Sequence, residues 1–124
     1  MPDRGKLLVV DDDVHIRRLL RLQLRDLPYE VFEAGTGEEA TALIEEHQFD
    51  IVLLDLILPY YGGFRLCQKF RSSDGHHPFI IIITGDDSPE TRATAEECGS
   101  NAFLGKPFSR EELTAVIESA RVKP

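Results

Sequence analysis

Five polar residues stand at or just past the ends of apolar runs: Asp11 and Asp12 after LLVV, Asp55 after IVLL, Thr84 after FIIII, and Lys106 two positions after AFL. Brought together, three carboxylates conflict, because like charges raise one another's pKa and desolvation adds to the cost. A divalent cation removes the conflict. Hard oxygen donors with no nearby histidine or cysteine suit Mg²⁺, with Mn²⁺ as its substitute, better than zinc. Mg²⁺ takes one or two carboxylates and leaves its other positions to water and phosphate oxygens, so a remaining carboxylate is free to attack a phosphoryl donor. In the resulting acyl phosphate, an ammonium and a hydroxyl are needed at the equatorial oxygens, and Lys106 and Thr84 fit those roles.

Such a cluster requires that the apolar runs be strands ending on one edge. Five strand-sized runs occur, at Leu7–Val10, Tyr29–Phe32, Ile51–Leu54, Phe79–Ile83 and Ala102–Leu104. Between them, apolar residues recur at helical spacing, as with Ile16, Leu19, Leu20 and Leu24, and again with Leu113, Val116 and Ile117. Thr36 with Glu39 and Ser109 with Glu112 fit the capping box, Ser88 with Pro89 fits an N-cap followed by proline, and Gly99 fits a left-handed helix stop after Cys98. Asp13 reads as the cap of the first helix. Strands alternating regularly with helices predict a parallel sheet covered on both faces, an α/β doubly wound fold. Ligands of such sheets bind beyond the carboxyl ends of the strands.

Composition narrows the function classes. The 124 residues, 42% of them hydrophobic, suffice for one core, so residues 1–124 read as a single domain with no room for an output domain. Acidic residues outnumber basic ones 22 to 14, the wrong sign for tracking a phosphate backbone, which argues against direct nucleic-acid binding. Cys67 and Cys98 belong to no CxxC or Cys/His spacing and read as buried, reduced thiols. No apolar stretch is long enough for a membrane span and the amino terminus lacks the layout of a signal peptide, so the expected location is cytoplasmic.

LLVVDDD at 7–13, IVLLDLILP at 51–59, IIIITG at 80–85 and FLGKPF at 103–108 together resemble receiver domains of two-component response regulators, of the single-domain, chemotaxis-regulator-like kind. Each motif is weak alone, but four in this order are specific, and the resemblance spans essentially the whole chain. It implies a flavodoxin-like five-stranded parallel sheet in the order 2-1-3-4-5, with five helices in a three-layer α/β/α arrangement. It makes Asp55 the phosphoacceptor and a metal ligand, Asp12 a direct metal ligand, Asp11 a ligand acting mainly through metal-bound water, and Ile57 the donor of a backbone carbonyl. Thr84 and Phe103 become the conformational switch, the hydroxyl moving toward the phosphoryl group and the ring turning inward behind it. The peptide bond between Lys106 and Pro107 is often cis in receivers. The implied partners are a sensor histidine kinase or histidine phosphotransfer protein as donor, and a downstream protein read through the fourth helix, fifth strand and fifth helix, with a phosphorylation-dependent dimer as one form. Catalysis would be limited to the protein's own phosphorylation and slow dephosphorylation.

The chain departs from the family pattern in three places. Tyr61, Gly62 and Gly63 stand where Met-Asp-Gly is frequent, and Gly85 replaces the commoner alanine after Thr84. Ile57 puts an apolar side chain near the path of a hydrolytic water, from which slow loss of phosphate is expected. Two other functions compete: a phosphate-independent interaction module of the same fold, and a small Mg²⁺-dependent phosphatase with an aspartyl-phosphate intermediate. The complete set Asp11, Asp12, Asp55, Thr84 and Lys106 argues against the first. The second wants a general acid two residues past the nucleophile, where this chain has Ile57. The four histidines form no ligand pair, and Tyr60 and Tyr61 read as loop residues packing on the sheet edge.

Overall fold

The apolar runs form a five-stranded parallel sheet whose strands, numbered along the chain, lie in the order 2-1-3-4-5, as the family resemblance implied. The computed structural model of the protein describes residues 5–56, 62–72, 77–86 and 88–121. The strands are β1 (Gly5–Val10), β2 (Tyr29–Ala34), β3 (Ile51–Asp55), β4 (Phe79–Thr84) and β5 (Ala102–Gly105), and the crossovers are α1 (Val14–Leu24), α2 (Gly37–Glu46), α3 (Gly63–Ser72), α4 (Pro89–Glu97) and α5 (Arg110–Arg121). Each strand outruns its apolar core by one residue or more, because the backbone ladder continues through positions that a hydrophobic pattern does not mark.

Alternation along the buried strands divides the core into two layers. Leu7, Val9, Ile51, Leu53, Ile81 and Ile83 pack with Leu20 and Leu24 of α1 and with Leu113 and Ile117 of α5. Leu8, Val10, Val52, Leu54, Ile80 and Ile82 pack on the other face, with Ala40 of α2, Leu66, Cys67 and Phe70 of α3, and Ala95 of α4. The runs Ile51–Leu54 of β3 and Phe79–Ile83 of β4 are apolar at every position because both faces are covered.

The predicted helix ends are present. Asp13 caps α1 by accepting from His15 N, and Thr36 accepts from Glu39 N in α2. Ser109 and Glu112 bond reciprocally, backbone to side chain, at 2.8 and 3.0 Å. Glu39 instead reaches one residue further back, to Gly35 N at 2.7 Å. Ser88 caps α4 ahead of Pro89, and Gly99 follows its Cys98 cap at φ +87°.

Register then decides what meets at the carboxyl edge. Val10 pairs with Leu54, so Asp11 and Asp55 leave the sheet at the same level. Asp55 pairs with Ile83 and Thr84 with Gly105, which brings Thr84 and Lys106 to that edge as well. The chain returns into α3 against the end of β3, where Gly63 N donates to Leu56 O at 3.1 Å. A Cβ on Gly63 would lie 2.5 Å from both Leu56 Cα and Leu56 O. Gly63→Ala is therefore expected to lower stability by about 1–3 kcal/mol in urea titration, the range for forced overpacking. A loss under a few tenths would show that β3 and α3 separate at little cost.

Candidate functional site

Asp11 is the most enclosed of the five polar residues, with no exposed surface. Its backbone N–H donates to Ala34 O at 3.1 Å, which ties it to β2. One carboxylate oxygen accepts from Asp13 N at 2.9 Å and the other from the Lys106 ammonium at 2.9 Å. The Asp11 carbonyl accepts from Arg17 Nη1 at 2.6 Å. Arg17 in turn bonds Glu33 at 3.1 Å, and Arg21 joins the same carboxylate at 2.5 Å. Burial alone would raise the Glu33 pKa, but hydrogen bonds and charge from Arg21 and Arg17 outweigh it and hold Glu33 below the usual carboxylate range. Arg17 was not singled out by sequence, where a helical arginine six positions after an aspartate reads as solvated.

Asp55 is 7% exposed and lies 3.6 Å from Lys106 Nζ. Lys106 thus bridges two carboxylates, with the shorter contact to Asp11. Desolvation would depress the lysine pKa, yet the bond to Asp11 and the charges of Asp55 and Asp11 overcome that and raise it. The Lys106 backbone N–H donates to Thr84 O at 2.7 Å, and the bond to Pro107 is cis.

Asp12, unlike its neighbour, is exposed. Carboxylate oxygens of Asp11, Asp12 and Asp55 all lie within 4.8 Å of one another, close to the span of about 4 Å between opposite ligands of an octahedral Mg²⁺. Three acids facing one lysine leave a net negative cluster, and the donors are all oxygen. The group fits a hard divalent cation. Ile57, whose carbonyl was the fourth expected ligand, lies outside the described residues, as do Tyr60, Tyr61 and His76; His77 is exposed.

Thr84 and Phe103 lie on the sheet face covered by α2, α3 and α4. Thr84 is 1% exposed, and its hydroxyl oxygen accepts from Asp86 N at 3.1 Å. Asp86 accepts from the Thr91 hydroxyl at 2.7 Å and from Ser88 N at 3.0 Å, and these bonds hold its pKa down. Phe103 packs half-buried against the same core layer, with the Arg92 guanidinium 4.4 Å from its ring centroid. Arg92 and the Asp86–Thr91 pair had no motif to mark them.

This arrangement can hold a cation, offer one carboxylate as nucleophile and neutralise an anion from the Lys106 side. Among the described residues, no helix is long and apolar enough to cross a membrane.

Comparison with known proteins agrees with the geometry. The regulatory protein VanR of Enterococcus faecium is 36% identical over 92% of this chain and 48% of its own length. ResD, a transcriptional regulatory protein of Bacillus subtilis, is 36% identical over 92% of this chain and 47% of its own. The chain thus spans about half the length of these relatives. Among solved structures, the chemotaxis response regulator CheY4 of Vibrio cholerae superposes with a TM-score of 0.86 at 31% identity, covering 94% of this chain and 98% of that one. The receiver domain of the sensor histidine kinase PA1611 from Pseudomonas aeruginosa, solved with a magnesium ion coordinated in its active-site cleft, superposes at 0.84 with 27% identity over 93% of this chain and 95% of that one. The family profile of the response regulator receiver domain matches residues 7–118, and the chain belongs to that family, whose members serve two-component signalling.

Proposed function

We propose that residues 1–124 act as a phosphorylation-switched receiver unit in which Asp55 accepts a phosphoryl group from a histidine kinase or histidine phosphotransfer protein. The observation that carries this reading is the buried Asp55 carboxylate, set level with Asp11 and 3.6 Å from the Lys106 ammonium. Asp12, Asp11 and Asp55 together with the Ile57 carbonyl would hold Mg²⁺, which would supply positive charge against the incoming phosphoryl oxygens. An Asp55 carboxylate oxygen attacks phosphorus, the P–N or P–O bond to the donor breaks, and the leaving group departs with the bonding pair. Lys106 then shifts from Asp11 toward an equatorial oxygen, a short move because it already bridges both acids. Thr84 exchanges the Asp86 N–H for the phosphoryl group, and Phe103 turns inward behind it. The change is read by a downstream protein at the α4, β5 and α5 face, or by a second copy in a phosphorylation-dependent dimer, in the cytoplasm. The chain's own chemistry is limited to gaining and slowly losing this phosphate.

The test is labelling by phosphoramidate, followed by intact mass, across a Mg²⁺ titration of wild type and Asp12→Ala. Asp12→Ala should need about 10-fold more Mg²⁺ or beyond, since even outer-shell changes at metal sites cost 10- to 100-fold. Equal Mg²⁺ requirements would remove Asp12 from the ligand set. No adduct on wild type at any Mg²⁺ concentration would favour the phosphate-independent interaction module.

A further inference from the structure

The chain has two cysteines, 31 residues apart, and the fold brings them into contact. Cys67 on α3 is fully buried, and Cys98, the C-cap of α4, is 3% exposed. The Cys67 thiol donates to the Cys98 carbonyl oxygen at 3.2 Å, and the Cys98 thiol donates to Ala95 O at 3.1 Å. Arg71, one turn beyond Cys67, donates from Nε to Gly99 O at 2.7 Å and holds the same two elements together. None of these groups takes part in the site at the carboxyl edge.

We propose that Cys67 and Cys98 are a dithiol modification site that a peroxide closes to an intramolecular disulfide, fastening the end of α4 to α3. With the Cys67 sulfur already against the Cys98 main chain, rotation of the Cys98 side chain away from Ala95 O brings the two sulfurs together. Within α4 itself only Ala95 is buried, so this helix is lightly anchored and its local opening can admit a small oxidant. The two thiols are unequal. The neighbouring Cys98 and burial push the Cys67 thiol up. Cys98, 3% exposed against none for Cys67, is the thiol that an entering peroxide meets first.

The Cys98 thiolate attacks one peroxide oxygen, the O–O bond breaks, and the leaving hydroxide takes up a proton as water. The product is a sulfenic acid. Cys67 sulfur then attacks the Cys98 sulfur, the S–O bond breaks, and the departing hydroxyl leaves as a second water with the Cys67 proton. Two electrons and two protons pass from the thiols to one peroxide. The crosslink restrains α4, whose Arg92 lies over Phe103, and so links the redox state of the core to the mobility of that face.

The experiment treats the reduced full chain with hydrogen peroxide, then unfolds it, alkylates free thiols and measures intact mass with peptide mapping. Expected is a mass lower by two hydrogens, no alkylation, a peptide joining Cys67 to Cys98, and reversal by dithiothreitol. Cys67→Ser should instead stop at a Cys98 sulfenic acid trapped by dimedone. The idea is overturned if both thiols stay fully alkylatable, if oxygen atoms accumulate without a crosslink, or if the disulfide joins two chains. The wild-type mass decides this even where a variant folds poorly, and it is independent of whether Asp55 accepts phosphate.

Discussion

Asp55→Asn should take up no phosphoryl group from phosphoramidate under conditions in which the wild type gains one, and only in the presence of Mg²⁺. The substitution keeps the side-chain shape at a position 7% exposed and removes the one property the reaction needs, an anionic oxygen nucleophile. Neither Asp11 nor Asp12 should substitute for it. Asp11 is fully enclosed, with one oxygen bound to Asp13 N and the other to Lys106, and Asp12 sits exposed on the loop. Intact mass with peptide mapping checks this, and an adduct on the variant would relocate the acceptor. The same variant should fold at least as well as the wild type in Mg²⁺-free buffer. Three carboxylates converge there while Lys106 reaches only Asp11 and Asp55, and removing one charge relieves repulsion that burial magnifies. Urea titration would show any loss.

Lys106→Met should slow phosphoryl uptake on the order of 10²-fold, the usual consequence of removing one preorganised charge from a transition state in which negative charge collects. Its effect on stability should be nearly as plain. The ammonium touches an Asp11 carboxylate that has no contact with solvent, and breaking a buried pair by deleting one partner costs about 3–5 kcal/mol. With Lys106 22% exposed, the lower end is expected, read by urea titration in a chelator. The pH dependence has a definite sign. The folded lysine pKa is raised, so its contribution is complete below the ordinary lysine value of about 10.4 and fades as pH rises through the folded value. Wild type and Lys106→Met should therefore differ fully at neutral pH and converge only in strong alkali. Convergence already at pH 8 would mean that Lys106 adds little by its charge. Added Mg²⁺ should restore part of the stability lost in the variant, because a bound cation stabilises the state that binds it.

Much of this molecule was legible in the residues one after another. The alternation of apolar runs with helical spacing determined the α/β class. The caps at Asp13, Thr36, Ser88 and Ser109 depend on contacts two or three residues away, which a sequence displays directly. The positions of Asp11, Asp55, Thr84 and Lys106 were also readable, because a polar residue at the end of a parallel strand has one edge to go to. What the sequence could not decide was pairing across the fold. Lys106 meets Asp11 across 95 residues and approaches Asp55 less closely, because strand register brings the ends of β1, β3 and β5 to one edge. Arg17 reaches the Asp11 carbonyl, Arg92 covers Phe103 and Cys67 touches Cys98 only because packed helices deliver those side chains. Local periodicity determines which face a residue occupies, whereas its partner depends on how two separate elements are docked, and only tertiary packing decides that.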